Sequence, residues 1–262
     1  MELKTSGDRG ARGGDKSRWV KELEEALLDG RADLAVHSAK DVPGDLPAGL
    51  SIVGVPERAD ARDAVCGAAG VAAIPEGAVV GTSSLRRRAQ LLAVRPDLVI
   101  EDMRGNVDTR LAKLRDREYD AIVLARAGLD RLGVDEGEPV ETATLTPAPG
   151  QGCLALEART GDDEVARLAE GITHLRSLVE LTAERAVVTA LDATCHTPVG
   201  AHARLDGDAL AVEGFAGLPD GSAWIRDRVE GDAGDPSALG RELAERMLAA
   251  GAGALLAQAE AG

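Results

Sequence analysis

The sequence predicts an α/β protein that ends in a small α+β module, and three observations carry the prediction. Between residues 78 and 132 strand-like and helix-like segments alternate, the pattern of a parallel sheet with helical crossovers. After about residue 175 the pattern changes to one amphipathic helix, three consecutive strand-like pieces and a last helix. The 262 residues are 44% apolar but only 2% aromatic, so the cores must be built from Leu, Val, Ile and Ala.

In chain order, residues 1–5 read as a strand and 6–15 as a Gly/Arg/Asp-rich loop. A helix is expected from about 16 to 29, with Val20, Leu23, Ala26 and Leu27 on one face, ended by Gly30. Residues 32–36 then read as a short buried strand, 50–55 as another, and 56–63 as a polar crossing. Strands at 78–81, 98–103 and 121–125 each precede a helix: 84–94, 107–117 and a short turn to Leu132. Residues 144–152 break the pattern, and 153–158 form a strand expected to return to the first sheet. The helix at 175–191 places Leu175, Leu178, Val179, Ala186 and Ala190 near one stripe. Strands follow at 199–205, 209–215 and 222–229. Asp235 as N-cap and Pro236 in the first turn then open a helix carrying Leu239, Leu243 and Met247.

Composition excludes several functions. A net charge of −15 argues against nucleic acid as a partner, and the scarcity of aromatics argues against base stacking. No apolar run approaches the ~20 residues needed to cross a bilayer, and no signal segment opens the chain. Cys66, Cys153 and Cys195 are widely spaced with no CxxC pair. No disulfide framework or metal site is therefore expected, and a cytoplasmic protein is. Of the 30 basic residues only five are Lys, so wherever they cluster a planar fork for carboxylates is available.

Chemistry concentrates in Leu34-Ala-Val-His37-Ser-Ala-Lys40-Asp41-Val-Pro43. A strand ends there in an imidazole, an ammonium and a carboxylate, and ligands of open α/β sheets sit outside such strand ends. A local Lys-Asp pair on a polar loop is the plainer reading. Two strand-to-helix junctions, Gly81-Thr-Ser-Ser-Leu-Arg86-Arg87-Arg88 and Met103-Arg104-Gly-Asn-Val-Asp-Thr-Arg110, share one design. Free N–H groups of a helix start, with guanidinium groups beside them, suit a ligand bearing several carboxylates or phosphates. Arg in a first turn opposes the helix dipole, so stability alone does not choose it, although a structural role stays open. No GxxxxGK[ST] or GxGxxG is present, so a nucleotide is not the first choice. In Leu191-Asp-Ala-Thr-Cys195-His-Thr-Pro-Val-Gly200 the cysteine stands in a polar loop where it is free to react or to be inert. Cys66 and Cys153 read as buried fillers.

Together these stretches resemble the hydroxymethylbilane synthase family, also called porphobilinogen deaminase. The matches are Val20-Lys-Glu-Leu-Glu24, Arg31-Ala-Asp-Leu-Ala-Val-His-Ser-Ala-Lys-Asp-Val-Pro43, Gly81-Thr-Ser-Ser-Leu-Arg-Arg87 and Arg104-Gly-Asn-Val-Asp-Thr-Arg-Leu111. Ala125-Arg-Ala-Gly-Leu-Asp-Arg-Leu-Gly133, Pro149-Gly-Gln-Gly152, Thr182-Ala-Glu-Arg185 and Cys195-His-Thr-Pro-Val-Gly200 follow. Each is weak alone; in the family's order over nearly the whole chain they are specific.

The resemblance implies three domains, two α/β domains like those of periplasmic binding proteins and a small C-terminal α+β domain. Their expected bounds are 1–58 plus 151–172, 59–150 and 173–262. It implies a dipyrromethane cofactor held by a thioether to Cys195. On that primer four molecules of porphobilinogen, the small-molecule substrate, would be joined with loss of ammonia, and water would release 1-hydroxymethylbilane. Asp41 matches the family's catalytic aspartate, placed to steady the cationic azafulvene-like species left when ammonia departs. Lys16, Lys40, Ser84, Arg86, Arg87, Arg104, Arg110 and Arg131 match the groups that hold the acetate and propionate arms. A monomer without nucleic-acid or membrane partners is expected.

Two departures stand out. Family members begin with a strand and helix before the segment matching residues 1–5, and nothing here matches them; a truncated gene model is the expected cause. Gly13-Gly14-Asp15-Lys16-Ser-Arg-Trp19 stands where Gly-Lys-Gly-Leu-Phe is typical. Apart from the resemblance, the arginine junctions suit a non-catalytic receptor for a small polyanion equally well. Asp41 and Cys195 discriminate, because a receptor needs neither. An inactive remnant of the enzyme is the third reading.

Overall fold

The computed structural model describes residues 16–194 and 197–261, except the side chains of residues 16–19. The strand and loop expected over residues 1–15, the Lys16 side chain, Cys195 and His196 therefore lie outside the described residues. Helix α1 (Lys16–Leu28) buries Val20, Ala26 and Leu27 as its apolar spacing dictates. Gly30, at φ 69°, closes it. The next turn stays tied to the helix: the N–H groups of Arg31 and Ala32 both donate to Ala26 O, at 2.8 and 3.1 Å. Strand β1 (Ala35–Ser38) consequently starts later than residue 32. It is not buried throughout either, since alternation turns Val36 outward, 56% exposed.

Strand β2 (Leu50–Gly54) is followed by the expected crossing, and a second sheet begins with β3 (Asp63–Cys66). Strand–helix units then supply β4 (Val79–Gly81), α2 (Leu85–Val94), β5 (Val99–Glu101), α3 (Val107–Arg115), β6 (Ala121–Ala125) and α4 (Arg126–Arg131). A short β7 (Glu138–Pro139) completes the order β5-β4-β6-β3-β7. Strands β5, β4 and β6 are parallel, as their helical crossovers require, but β3 pairs antiparallel with both β6 and β7. The parallel sheet expected over residues 78–132 is present, and β3, which lies before that range, joins it antiparallel because it enters from the first sheet through an irregular segment, without a crossover helix. Val65, Val80 and Val123 fill one face, and Cys66, Ile122 and Leu124 the other.

Strand β8 (Leu154–Arg159) returns, as expected, and inserts between β1 and β2, antiparallel to both. Helix α5 (Asp163–Glu170) leads to α6 (Leu175–Ala190). A meander of β9 (Val199–Asp206), β10 (Ala209–Gly217) and β11 (Trp224–Asp232) packs against α6, α7 (Pro236–Ala249) and α8 (Ala252–Ala261). Asp235 caps α7 as its sequence suggests, accepting from Ala238 N at 2.8 Å.

The buried side of α6 differs from the predicted stripe. Leu175 is 71% exposed, whereas Ser177, Glu180, Leu181, Glu184 and Val187 are buried. Ala183 and Val187 pack on the β9–β11 sheet, while Ser177, Glu180 and Glu184 are polar because that part of the helix meets the Arg58 segment. No described helix is long and apolar enough to cross a membrane.

Candidate active site

The carboxyl ends of β5, β4 and β6 lie side by side, and each leads into a helix start. Ser84 caps α2, its hydroxyl accepting from Arg87 N, and Asn106 caps α3 by accepting from Thr109 N at 2.8 Å. Ser83 Oγ donates to Met103 O at 2.9 Å and ties one junction to the other. Gly105 takes φ 122° with Thr109 so near that a Cβ would lie 2.8 Å from its methyl.

The arginines of these junctions divide into two groups. Arg86 and Arg87 are buried against Asp63 at the start of β3. Arg86 Nη1 donates to Asp63 Oδ2 at 2.8 Å and to Thr146 O at 2.6 Å. Arg87 donates to Asp63 Oδ1 from Nε and Nη2, at 3.1 and 2.7 Å, and to Val123 O from Nη1. Full burial would raise the Asp63 carboxyl, but the charges and hydrogen bonds of the two arginines outweigh that and hold it well below the usual carboxylate range. Asp63 thus supplies a structural reason for first-turn arginines that the sequence did not disclose, and leaves the pair with one surplus positive charge. Arg110 donates to Gly105 O at 2.8 Å; burial and the nearby charge of Arg87 lower its pKa. Arg104 is exposed and has no hydrogen-bond or ion-pair partner among the described residues. Arg131, on α4, is exposed and donates to Gly152 O at 2.7 Å.

In the first sheet, β1 ends in a single 3-10 turn, Ala39–Asp41, pinned by Ala39 N donating to Cys153 O at 3.0 Å. Lys40 Nζ reaches Gln151 Oε1 at 3.4 Å, and Asp41 is half-buried. Gln151 connects the two sheets: its Nε2 donates to Asp63 Oδ1 at 2.8 Å and to Ala61 O at 2.7 Å. The structure therefore brings Lys40 to within one side chain of the Asp63–Arg86–Arg87 group, with Arg131 bound to the residue after Gln151. Asp63, in a polar crossing, carries no local signal of this role, and Gln151 lies within the matched Pro149-Gly-Gln-Gly152 stretch without a role assigned to it.

A second buried pair holds the C-terminal module. Arg58 donates to both carboxylate oxygens of Glu184 at 2.7 and 3.1 Å, and to Gln151 O at 2.9 Å. Glu184 also accepts from Gly150 N at 2.6 Å and Ala203 N at 2.8 Å. Burial pushes its carboxyl up, but Arg58 and His202 outweigh this and hold it at about 2. The loop expected to carry the reactive cysteine is bounded by a turn in which Thr194 N donates to Thr197 Oγ1 at 2.8 Å. Beyond it Ala201 N donates to Pro147 O at 3.1 Å. The other two cysteines are buried fillers, as read: desolvation lifts the Cys66 thiol to about 11 and the Cys153 thiol to about 12. No three His, Cys, Asp or Glu side chains form a metal-ligand set among the described residues.

Known proteins bear on this arrangement. The family model for the dipyrromethane cofactor-binding domain of porphobilinogen deaminase matches residues 1–167, and that for its C-terminal domain matches 178–249. Porphobilinogen deaminase of Roseiflexus castenholzii is 52% identical over 248 residues, 93% of this chain and 82% of the relative. That of Thermus thermophilus is 49% identical over 261 residues, 98% and 87% of the two chains. The Deinococcus radiodurans protein of the same name is 48% identical over 268 residues, 97% and 86%. Among solved structures, the periplasmic VFT2 domain of Bordetella pertussis BvgS superposes with a TM-score of 0.36 at 17% identity, over 63% of this chain and 71% of that one. So loose a likeness carries no argument.

Proposed function

The chain belongs to the porphobilinogen deaminase family, and on that footing we propose how its residues divide the family's hydroxymethylbilane synthase reaction. Four porphobilinogen molecules are joined head to tail on a dipyrromethane primer, ammonia is lost at each addition, and water releases 1-hydroxymethylbilane. Three domains, residues 1–58 plus 151–172, 59–150 and 173–262, each centre on one sheet. Substrate and primer lie among the strand ends described above. The protein works as a cytoplasmic monomer without nucleic-acid or membrane partners.

The observation that supports this most is a surplus of guanidinium charge, gathered in a chain of net charge −15. Arg86 and Arg87 share a single carboxylate, Arg110 is crowded by Arg87, and Arg104, just after β5, and Arg131, at the end of α4, are exposed. Such donors fit a ligand whose every pyrrole carries an acetate and a propionate. The dipyrromethane, tethered to Cys195 through a thioether, supplies a permanent starting pyrrole.

The remaining work falls to side chains. Arg104, Arg110 and Arg131, with the free edges of Arg86 and Arg87, bind carboxylates and fix the orientation of each ring. Ser84 is occupied with capping α2 and contributes the exposed side of its hydroxyl, and Lys16 and Lys40 add positive charge from the first domain. Asp41 accepts the pyrrole N–H and stabilises the positive charge that develops as the amine leaves, with Lys40 held beside it by Gln151.

Intact mass spectrometry tests the assignment. The wild-type chain should carry an added dipyrromethane that Cys195→Ser lacks, and Asp41→Ala should keep the adduct yet lose turnover. An unmodified wild-type mass together with unaltered porphobilinogen levels points to a receptor or remnant. Substantial tetrapyrrole synthesis by Asp41→Ala removes that residue from its role.

A further inference from the structure

Helix α6 does more than lead into the Cys195 loop. Beside Glu184 it carries Arg185, whose Nη2 donates to Pro43 O and to Gly44 O, both at 2.8 Å. Those carbonyls come two and three residues after Asp41. Gly44 itself rests on the helix, where a Cβ would stand 3.1 Å from Thr189 Oγ1 and 3.5 Å from Val188 Cγ1. On the other flank of Asp41, Ala39 N is held by Cys153 O. The aspartate segment is thus fastened at one end to the first sheet and at the other to the C-terminal module. Glu157, paired with His37 at 2.8 Å, and Asp45 are the carboxylates that attract Arg185. Its contact with the loop is through one terminal nitrogen shared by two backbone carbonyls, a geometry suited to fixing the chain rather than to gripping a ligand.

We propose that Arg185 is a positioning residue for Asp41, setting the distance between the catalytic carboxylate and the helix that delivers the Cys195 loop. The inference rests on the roles given above to Asp41 and Cys195. Its physical basis is that small displacements of a reacting group are expensive in rate: misplacement by about 1 Å costs up to about 100-fold.

The test is steady-state kinetics on cofactor-loaded protein. Arg185→Ala should lower kcat roughly 10- to 100-fold while KM stays within about twofold and the dipyrromethane adduct is retained in the intact mass. Arg185→Lys, which keeps the charge and can reach one carbonyl, should fall between wild type and Arg185→Ala, and serves if the alanine variant does not fold. Amide hydrogen exchange at Gly44 and Asp45 should accelerate in either variant. In an Asp41→Glu background the arginine substitution should cost much less than it does alone, because both changes act on one carboxylate. A rise in KM at unchanged kcat would instead make Arg185 a substrate-binding group, and fully multiplicative losses would separate it from Asp41; either result overturns the proposal. If Asp41→Ala alone retains turnover, the underlying assignment has failed rather than this one.

Discussion

Replacing Asp63 by Asn leaves two buried guanidinium groups without their counter-charge. Four donors converge on this carboxylate: Arg86 Nη1, Arg87 Nε and Nη2, and Gln151 Nε2, at 2.7 to 3.1 Å. Asparagine keeps one acceptor oxygen and turns an amide N–H toward a guanidinium, so at least the Arg86 contact is lost and both arginines stay desolvated. Breaking a buried pair in this way costs about 3–5 kcal/mol, a large share of the ~5–15 kcal/mol typical of a folded domain. The loss should depend on occupancy. In Cys195→Ser, which lacks the primer, it should be felt in full. In the loaded protein the primer's own carboxylates offer the arginines new partners, and the loss should shrink by ~1 kcal/mol or more. Urea unfolding of both proteins, each with and without Asp63→Asn, measures the two differences. A cost below ~1 kcal/mol in the primer-free protein, or the same cost in both, would refute this account of the buried charges.

Two further outcomes follow from other parts of the molecule. Glu184 has its carboxyl depressed from 4.5 to about 2, so its pairing stabilises the fold fully above pH 4.5 and is lost as the pH falls towards 2, on the order of 3 kcal/mol in all. Unfolding free energies measured stepwise across that window should fall less steeply in Glu184→Gln than in wild type, and equal slopes would count against it. Gly240 sits where α7 crosses α6, and a Cβ there would come within 2.2 Å of Ala183 O. Gly240→Ala must therefore push the helices apart at a cost of roughly 1–3 kcal/mol, visible as a lowered Tm; an unchanged Tm would show that the crossing yields freely.

Legibility followed the physics of each element. The apolar spacing of Val20, Ala26 and Leu27, the caps Ser84, Asn106 and Asp235, and the alternation of the second sheet are local signals, and the structure contains them. What the sequence hid was long-range. Asp63 meets Arg86 and Arg87 across more than twenty residues, Arg58 meets Glu184 across 126, and nothing in a local window announces either pair. In α6 the buried Ser177, Glu180 and Glu184 lie among Leu181, Ala183 and Val187, and such a mixed face has no clean apolar period. β7 is two residues long and the Ala-rich α8 gives little contrast between faces, so neither carries a local signal.

The insertion of β8 between β1 and β2 has a consequence for synthesis on the ribosome. β2 ends at Gly54 and β8 does not start until Leu154, while among the described residues every strand of the second sheet lies between Asp63 and Pro139. A nascent chain halted at residue 150 already holds every described strand of the second sheet, but β1 and β2 remain without β8, which joins them. The first sheet is thus completed by a segment made long after its other two described strands, and contacts of such sequence separation are slow to form.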